Sequence, residues 1–400
     1  MTLKILREIY DISAVEPFVE LCDEEFYRRI TFKTTYICDL KSPLVQRSHL
    51  RFVCPKCGGS SERKTKWMLK NKSFRAEFQC RACGHPFAGR LLIKQKYEGL
   101  TVNKKTYPIA QIEKPRQVVP GPLGEMRLEV REGVGILRFP QLAALGGVNH
   151  AFTTRVGGVS EREYAAMNLG FGRGDTEEKV AENYRIFCRA AGFDSDSLAA
   201  GAQDHHCNIR RVTREQRGVG IWKPRDRESI DGLCTDDPEV TLVIYCADCV
   251  PLYFVDPEHH AIGLAHAGWR GTVMGMARAM VERMKEEFGT DPALLQAAVG
   301  PSICRDCFEV DEPVAAEFLK LPDSGHFVTG PVGEKYHVDL WECNRRFLLE
   351  AGVPAEQITV GKVCTMCESD LLFSHRKTQG RRGSNCAFLA LKPAEADQAR

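Results

Sequence analysis

Apolar and polar positions along this chain follow two rhythms, and both are clearest in its middle. TLVIYC (241–246), VPLYFVD (250–256) and AIGLAH (261–266) are short apolar runs separated by very short turns, the pattern of buried strands. Directly after them, TVMGMARAMVERMKEEFG places Val273, Met276, Ala277, Met280, Met284 and Phe288 on one helical face, and Gly289 supplies a C-terminal stop. The front of the chain is less legible. Leu3, Leu6, Ile9 and Tyr10 have helical spacing and TFKTTYICDL (31–40) reads as a strand, with no chemistry to assign to residues 1–50. QIEKPRQVVPGPLG (111–124) interrupts every periodic pattern and reads as a linker. The expected organisation is a segment 1–50, a small module 51–110, the linker 111–124, and a body 125–395 of α/β (mixed α+β) class.

Composition narrows the function classes. At 400 residues, 43% hydrophobic and 27% charged, the chain is long enough for two or three folded units. No uncharged run is long enough for a membrane span, and MTLKILREIYD turns acidic too early for a signal-peptide core. A membrane protein, a secreted preprotein and a disordered scaffold are therefore not expected. Residues 1–120 carry 23 Lys and Arg against 12 Asp and Glu, a net +11, which leaves −9 for the remainder. A basic front on an acidic body suggests an appended module with its own partner, nucleic acid or another acidic surface. Seventeen cysteines without a signal peptide point to thiols and metal in a reducing cytoplasm rather than to disulfides.

Four of those cysteines have metal-ligand spacing. Cys54 and Cys57, then Cys80 and Cys83, form CxxC…CxxC with 22 residues between the pairs, and Gly58 and Gly84 follow each pair. Two such knuckles make the closed tetrahedral shell of a structural zinc ribbon, which folds its module without catalysing anything. Between the pairs Arg63, Lys64, Lys66, Lys70, Lys72 and Arg75 interleave with Trp67, Phe74 and Phe78. They read either as a nucleic-acid surface or as the packing and solubilising residues of a small ribbon.

The body carries further pairs, Cys246/Cys249, Cys304/Cys307 and Cys364/Cys367, read mostly as small buried residues because none has the Gly-rich, polar setting of Cys54. One has different neighbours. YCADCVP precedes AHAGWRG, so Cys249 in a turn and His266 at a strand end can meet across adjacent strands, and AQDHHCN offers His205 or His206 as a third ligand. Two imidazoles and one thiolate with a fourth position open are the donor set of catalytic zinc. Cys249 as a nucleophile with His266 as its base, or ordinary packing, remain alternatives.

The body also resembles the YfiH family, the laccase-domain or multicopper polyphenol oxidoreductase family, associated with purine nucleoside phosphorylase activity. The resemblance runs over about 135–392 through HAFTTRVGGVS, MNLGFGRGD, AQDHH, DGLCT (231–235), ADCVPLYFVD, AHAGWRG, GPSICRDCFEV, CTMCESDLLFSHR and GRRGS, and leaves the amino-terminal 120 residues outside. It implies a layered domain of mixed sheets flanked by helices, with His205, Cys249 and His266 as ligands of a catalytic zinc. It places Gln203, Arg155 and Asp248 at polar positions of the same pocket, and implies phosphorolysis of adenosine, inosine, guanosine and methylthioadenosine together with adenosine deamination.

In that reaction Asp248 is the expected proton carrier. Arg155 and Arg270, with the backbone amides of Gly157 and Gly158, are the expected substrate and phosphate site. Ser374, His375 and Arg376 sit near the family's carboxy-terminal motif, and His375 is assigned no role. A copper-dependent polyphenol oxidase is the competing reading, but a multicopper site needs on the order of ten His, often as His-x-His. This chain has eleven His and no His-x-His, so copper is expected at most as a single ion. A metal-free Cys/His hydrolase acting on an amide or a cell-wall precursor is the other alternative.

Overall fold

The computed structural model describes residues 120–393 and, ahead of them, only 10–11, 19–21, 50–52, 57, 61–63, 68–70 and 73–93. The chain divides into two compact units, Met1–Ala110 and Gln111–Arg400.

In the smaller unit the strands Ser73–Cys80 and Pro86–Ile93 pair antiparallel as a long hairpin. Ser61–Arg63 and Met68–Lys70 pair with the first of them, and Tyr10–Asp11 with the second. Tyr10 thus belongs to a strand, where its spacing with Ile9 and Leu6 suggested a helix. TFKTTYICDL and Cys54 lie outside the described residues. Phe78 is buried, consistent with the packing role for that aromatic.

The larger unit is built around two mixed sheets, with a small antiparallel sheet of Glu309–Val310, Lys335–Val338 and Val328–Val332 beside them. One has seven strands in the order Leu198–Ala200, Thr241–Cys246, Asn385–Leu391, Val148–Thr153, Val134–Arg138, Met126–Arg131, Gly121–Leu123. The other has six: Ile209–Arg211, Gly232–Thr235, Ala261–Ala267, Val250–Asp256, Gln296–Val299, Ile358–Val360. Gly121–Leu123 already pairs with Met126–Arg131 through a two-residue turn, so the first sheet begins inside the segment read as linker.

Strand alternation sorts the side chains into layers. Leu389 and Leu391 meet Tyr253, Val255 and Leu264 in a core between the sheets. Phe388 and Ala390, on the opposite face, pack under Tyr184 and Phe187 of the helix Glu177–Ala191. Leu252, Phe254 and Ala265 pack under Met276, Met280 and Met284 of the helix Met276–Phe288 and under Phe347 of Leu340–Glu350. Both outer layers follow from period 3.6 meeting period 2.

The three apolar runs form strands, and Gly289 ends the long helix in a left-handed conformation at φ 76°. The predicted helix is not continuous, however. Gly275, at φ 84°, separates Trp269–Val273 from Met276–Phe288, so Val273 lies on a different element from the methionines. No helix among the described residues is long and apolar enough to cross a membrane. Cys304, Cys307, Cys364 and Cys367 are buried, as packing residues would be, but they are not dispersed: all four sulfurs come together.

Candidate functional site

Thr241–Cys246 belongs to the seven-stranded sheet and Val250–Asp256 to the six-stranded one, so the turn 247–249 crosses from sheet to sheet. Cys249 therefore stands at the mouth between the layers. His266 is the penultimate residue of Ala261–Ala267, which pairs antiparallel with Val250–Asp256 in a register that sets Val250 opposite Ala267. The pairing brings Cys249 and His266 together across adjacent strands. His205 arrives on the segment after Leu198–Ala200, in a left-handed conformation at φ 72°. Ligand atoms of His205, Cys249 and His266 all lie within 4.8 Å of one another, and the two imidazole rings are 4.9 Å apart at 61°.

One buried carboxylate organises this group. Asp231, immediately before Gly232–Thr235, is fully buried. Its Oδ1 accepts hydrogen bonds from the backbone N–H of His205 at 3.0 Å and from His266 Nδ1 at 2.7 Å. Its Oδ2 accepts from the N–H groups of Asp204 and His206, both at 3.1 Å. The carboxylate fixes the His266 ring so that Nε2 faces the cluster, and it holds the backbone bearing His205 in a nest of three consecutive amides. His206 turns away: its Nδ1 pairs with Asp204 Oδ1 at 2.8 Å, and its side chain is exposed. Of the two adjacent histidines, His205 is therefore the one in the cluster.

Cys249 and His266 shift one another strongly, each favouring the charged form of the other. Burial pushes the Cys249 thiol up, but the neighbouring His266 and His205 imidazoles outweigh burial and bring it down to about 6. Burial depresses His266, and the Cys249 sulfur with Asp231 more than offsets that, raising it to about 9. Gly268 closes the group from above, where a Cβ would lie 2.5 Å from His205 Nδ1 and 3.2 Å from Cys249 Sγ.

The other expected pocket residues take different places. Gln203 donates from Nε2 to the Tyr245 carbonyl and accepts at Oε1 from the Tyr245 N–H, both at 2.8 Å. Its amide is spent on positioning the His205 segment against the strand end. Asp248, at φ 86°, accepts from Thr365 Oγ1 and from the Arg376 N–H, both at 2.6 Å, so both carboxylate oxygens are engaged as a pin for the turn rather than presented as a proton carrier.

Arg155 is not the open anion-binding residue expected. It is 4% exposed, it donates to the carbonyls of Ala165 at 2.7 Å and Ser369 at 2.8 Å, and its guanidinium lies 4.7 Å from the Phe373 ring centre. Gly157 instead allows close approach to Val134, whose Cα a Cβ would meet at 2.7 Å. At Gly158 a Cβ would meet the Ala166 carbonyl at 2.2 Å, so the loop packs closely there as well. Arg270 is exposed and stacks on Trp269 at 4.3 Å. The backbone carbonyls that hold Arg155 were invisible in the TTRVGG motif, and they decide the case.

The cations near the cluster come from two motifs given no role in the sequence reading. Arg382 of GRRGS is 9% exposed and donates to the Gly383 carbonyl and Ser384 Oγ, while its Nε is buried without a hydrogen-bond partner. Burial and Arg173 of FGRGD lower its pKa to about 10, while Asp248, Cys249 and Cys246 pull the other way. Arg173, Arg382, His375 and Arg376 thus share one electrostatic neighbourhood on the Asp248 side of the cluster.

In the smaller unit Cys57 Sγ lies 3.5 Å from both Cys80 Sγ and Cys83 Sγ. The Cys83 N–H points at Cys80 Sγ at 3.4 Å, and Gly84 takes φ 69°. Three of the four residues read as a zinc ribbon are thus together; Cys54 lies outside the described residues.

Comparison with known proteins identifies the larger unit's relatives. Residues 149–392 match the family model described as multi-copper polyphenol oxidoreductase laccase. The chain is 36% identical over 245 residues to purine nucleoside phosphorylase YlmD of Bacillus subtilis (strain 168), covering 61% of this chain and 88% of the relative. It is 36% identical over 235 residues to adenosine deaminase RL5 from an unknown prokaryotic organism, covering 57% and 88%. The crystal structure of YlmD from Geobacillus stearothermophilus superposes with a TM-score of 0.63 at 35% identity, covering 68% of this chain and all of that one.

Proposed function

The chain belongs to the multi-copper polyphenol oxidoreductase laccase family and is an enzyme of it, and from that premise we propose that it is a zinc-dependent purine nucleoside phosphorylase. It cleaves adenosine, inosine, guanosine or methylthioadenosine with phosphate to the free base and ribose 1-phosphate or its methylthio analogue, and it deaminates adenosine. The observation that carries this reading is the convergence of two imidazoles and one thiolate at the mouth between the sheets. That set of three donors fits zinc, and the ion would supply Lewis acidity at the reacting centre. A trinuclear copper centre is not supported, because among the described residues only one group of possible ligands contains histidine.

The chain's own residues divide the remaining work. Asp231 orients His266 and the His205 backbone. Asp248 fixes the turn that presents Cys249. Phosphorolysis needs a phosphate dianion held close to the ribose, and Arg382 with Arg173 is the pair suited to hold it. Arg382 feels the charges of Asp248 and Cys249 and keeps an Nε without a hydrogen-bond partner, whereas Arg155 spends both Nε and Nη1 on backbone carbonyls.

Removing one charge-assisted hydrogen bond costs about 1.5–3 kcal/mol. Arg382→Met is accordingly expected to raise the KM for phosphate about 10- to 100-fold, with a much smaller change in the KM for adenosine. Steady-state kinetics with each substrate varied in turn checks it, and equal changes in both constants would count against the assignment. The reaction itself is tested by chromatography of the products from each nucleoside with and without phosphate. Free base that appears only with phosphate marks phosphorolysis, and inosine formed from adenosine marks deamination.

A further inference from the structure

We propose that Cys304, Cys307, Cys364 and Cys367 form a second metal centre in the larger unit, a closed four-thiolate site for one structural zinc ion. The four residues are 6–8% exposed, their sulfurs all lie within 4.8 Å of one another, and Cys307 and Cys367 are 3.5 Å apart. Tetrahedral bonds of about 2.3 Å to one ion set sulfurs about 3.8 Å apart. A disulfide requires about 2.05 Å. The observed spacing is that of a single-ion cage, and a polynuclear cluster would spread the sulfurs further.

Two loops far apart in sequence each supply one CxxC pair. In the first, the N–H groups of Cys307 and Phe308 donate to the Cys304 carbonyl at 3.0 and 2.9 Å, folding the pair into a tight turn. In the second, the Glu368 N–H donates to the Cys364 carbonyl at 2.9 Å. The N–H groups of Cys304 and Cys367 both point at Cys364 Sγ at 3.3 Å, the arrangement that stabilises a thiolate. The loops are stitched together by Ser302 N–H to the Val363 carbonyl and by Thr365 N–H to the Ser302 carbonyl, both at 3.1 Å. Cys188, Cys234 and Cys343 are likewise buried in apolar clusters but belong to no such group of sulfurs among the described residues.

On binding, zinc displaces four thiol protons and leaves a centre of net charge −2. Arg376 is placed to balance it, since its guanidinium donates to the carbonyls of Cys307 at 3.4 Å and Glu309 at 2.8 Å. With four protein ligands the shell has no position for substrate. Its consequence is mechanical. Thr365, between the second pair, donates to Asp248 Oδ1, and the Ile303 N–H, beside the first, donates to the Asp248 carbonyl at 3.0 Å. The ion thus anchors both loops that hold the turn carrying Cys249.

Full-length protein bearing Cys54→Ser, Cys57→Ser, Cys80→Ser and Cys83→Ser isolates the larger unit's zinc, counted per chain by plasma mass spectrometry. Two equivalents are expected in that background. One should remain when His205→Ala is added, and one when Cys304→Ser and Cys364→Ser are added instead, the latter also lowering the unfolding temperature. Zinc falling to zero with His205→Ala would overturn the proposal. A second measurement does not depend on the serine variants folding. In the wild-type protein, native alkylation read peptide by peptide should spare the four cysteines until a chelator is added, then label all four. Labelling that the chelator leaves unchanged, or a Cys307–Cys367 disulfide in freshly purified protein, contradicts the site.

Discussion

Asp231→Asn is expected to lower metal affinity at the His205–Cys249–His266 centre about 10- to 100-fold, the usual cost of losing a partner that orients a ligand, and to lower nucleoside turnover with it. The side chain is fully buried and accepts four hydrogen bonds, three from consecutive backbone amides and one from His266 Nδ1. An asparagine of the same shape must turn its NH2 group toward some of those donors. If it faces the amides, Asp204 and His206 lose their acceptor; if it faces the ring, His266 must adopt the other tautomer and offer the wrong nitrogen to the cluster. Each buried donor left without a partner costs about 1–3 kcal/mol. The variant should therefore show both a lower denaturation midpoint and a weaker affinity in zinc titrations. Retention of stoichiometric zinc and full turnover would remove Asp231 from its assigned role.

Gly268→Ala is expected to cost about 100-fold in kcat/KM while leaving the fold intact, since displacement of about 1 Å in a catalytic group has that scale of effect. Gly268 has φ −68° and ψ 178°, a conformation any residue adopts, so the backbone imposes no penalty. The conflict is with the site: the new methyl would lie 2.5 Å from His205 Nδ1 and 3.2 Å from Cys249 Sγ. His205 is an exposed side chain and would be the one to move, opening the cluster. Circular dichroism should superpose on the wild type while turnover collapses. An active Gly268→Ala protein would mean that His205 does not need its observed position.

The strands Thr241–Cys246 and Val250–Asp256 were legible in the sequence because each is buried on both faces and written as an unbroken apolar run. The helix after them was legible in its face but not in its start. Gly275 interrupts it without disturbing the 3.6-residue spacing of Met276, Met280 and Met284. Cys249 and His266 could be paired from spacing because the strands that carry them are neighbours in both sequence and sheet.

Asp231 could not be found in that way. Its role depends on Gly232–Thr235 lying beside Ala261–Ala267, a pairing that no local pattern announces. The same holds for Cys304/Cys307 and Cys364/Cys367, read as packing because each pair was judged alone, whereas the sheet topology brings the two loops together. Arg155 and Arg382 show the limit in the opposite sense. Both are buried arginines in short Gly-containing motifs, and only their hydrogen-bond partners distinguish Arg155, whose Nε and Nη1 are spent on backbone carbonyls, from Arg382, whose Nε has no partner.

Release of hypoxanthine from inosine and phosphate, followed in native, metal-depleted and zinc-restored protein, isolates zinc-dependent phosphorolysis, because inosine has no 6-amino group to lose. The expected result is hypoxanthine and ribose 1-phosphate in equal amounts from the native protein, loss of both on metal removal, and recovery with zinc. No hypoxanthine from the native protein, or undiminished turnover by metal-free protein that is lost on alkylation of Cys249, would contradict it.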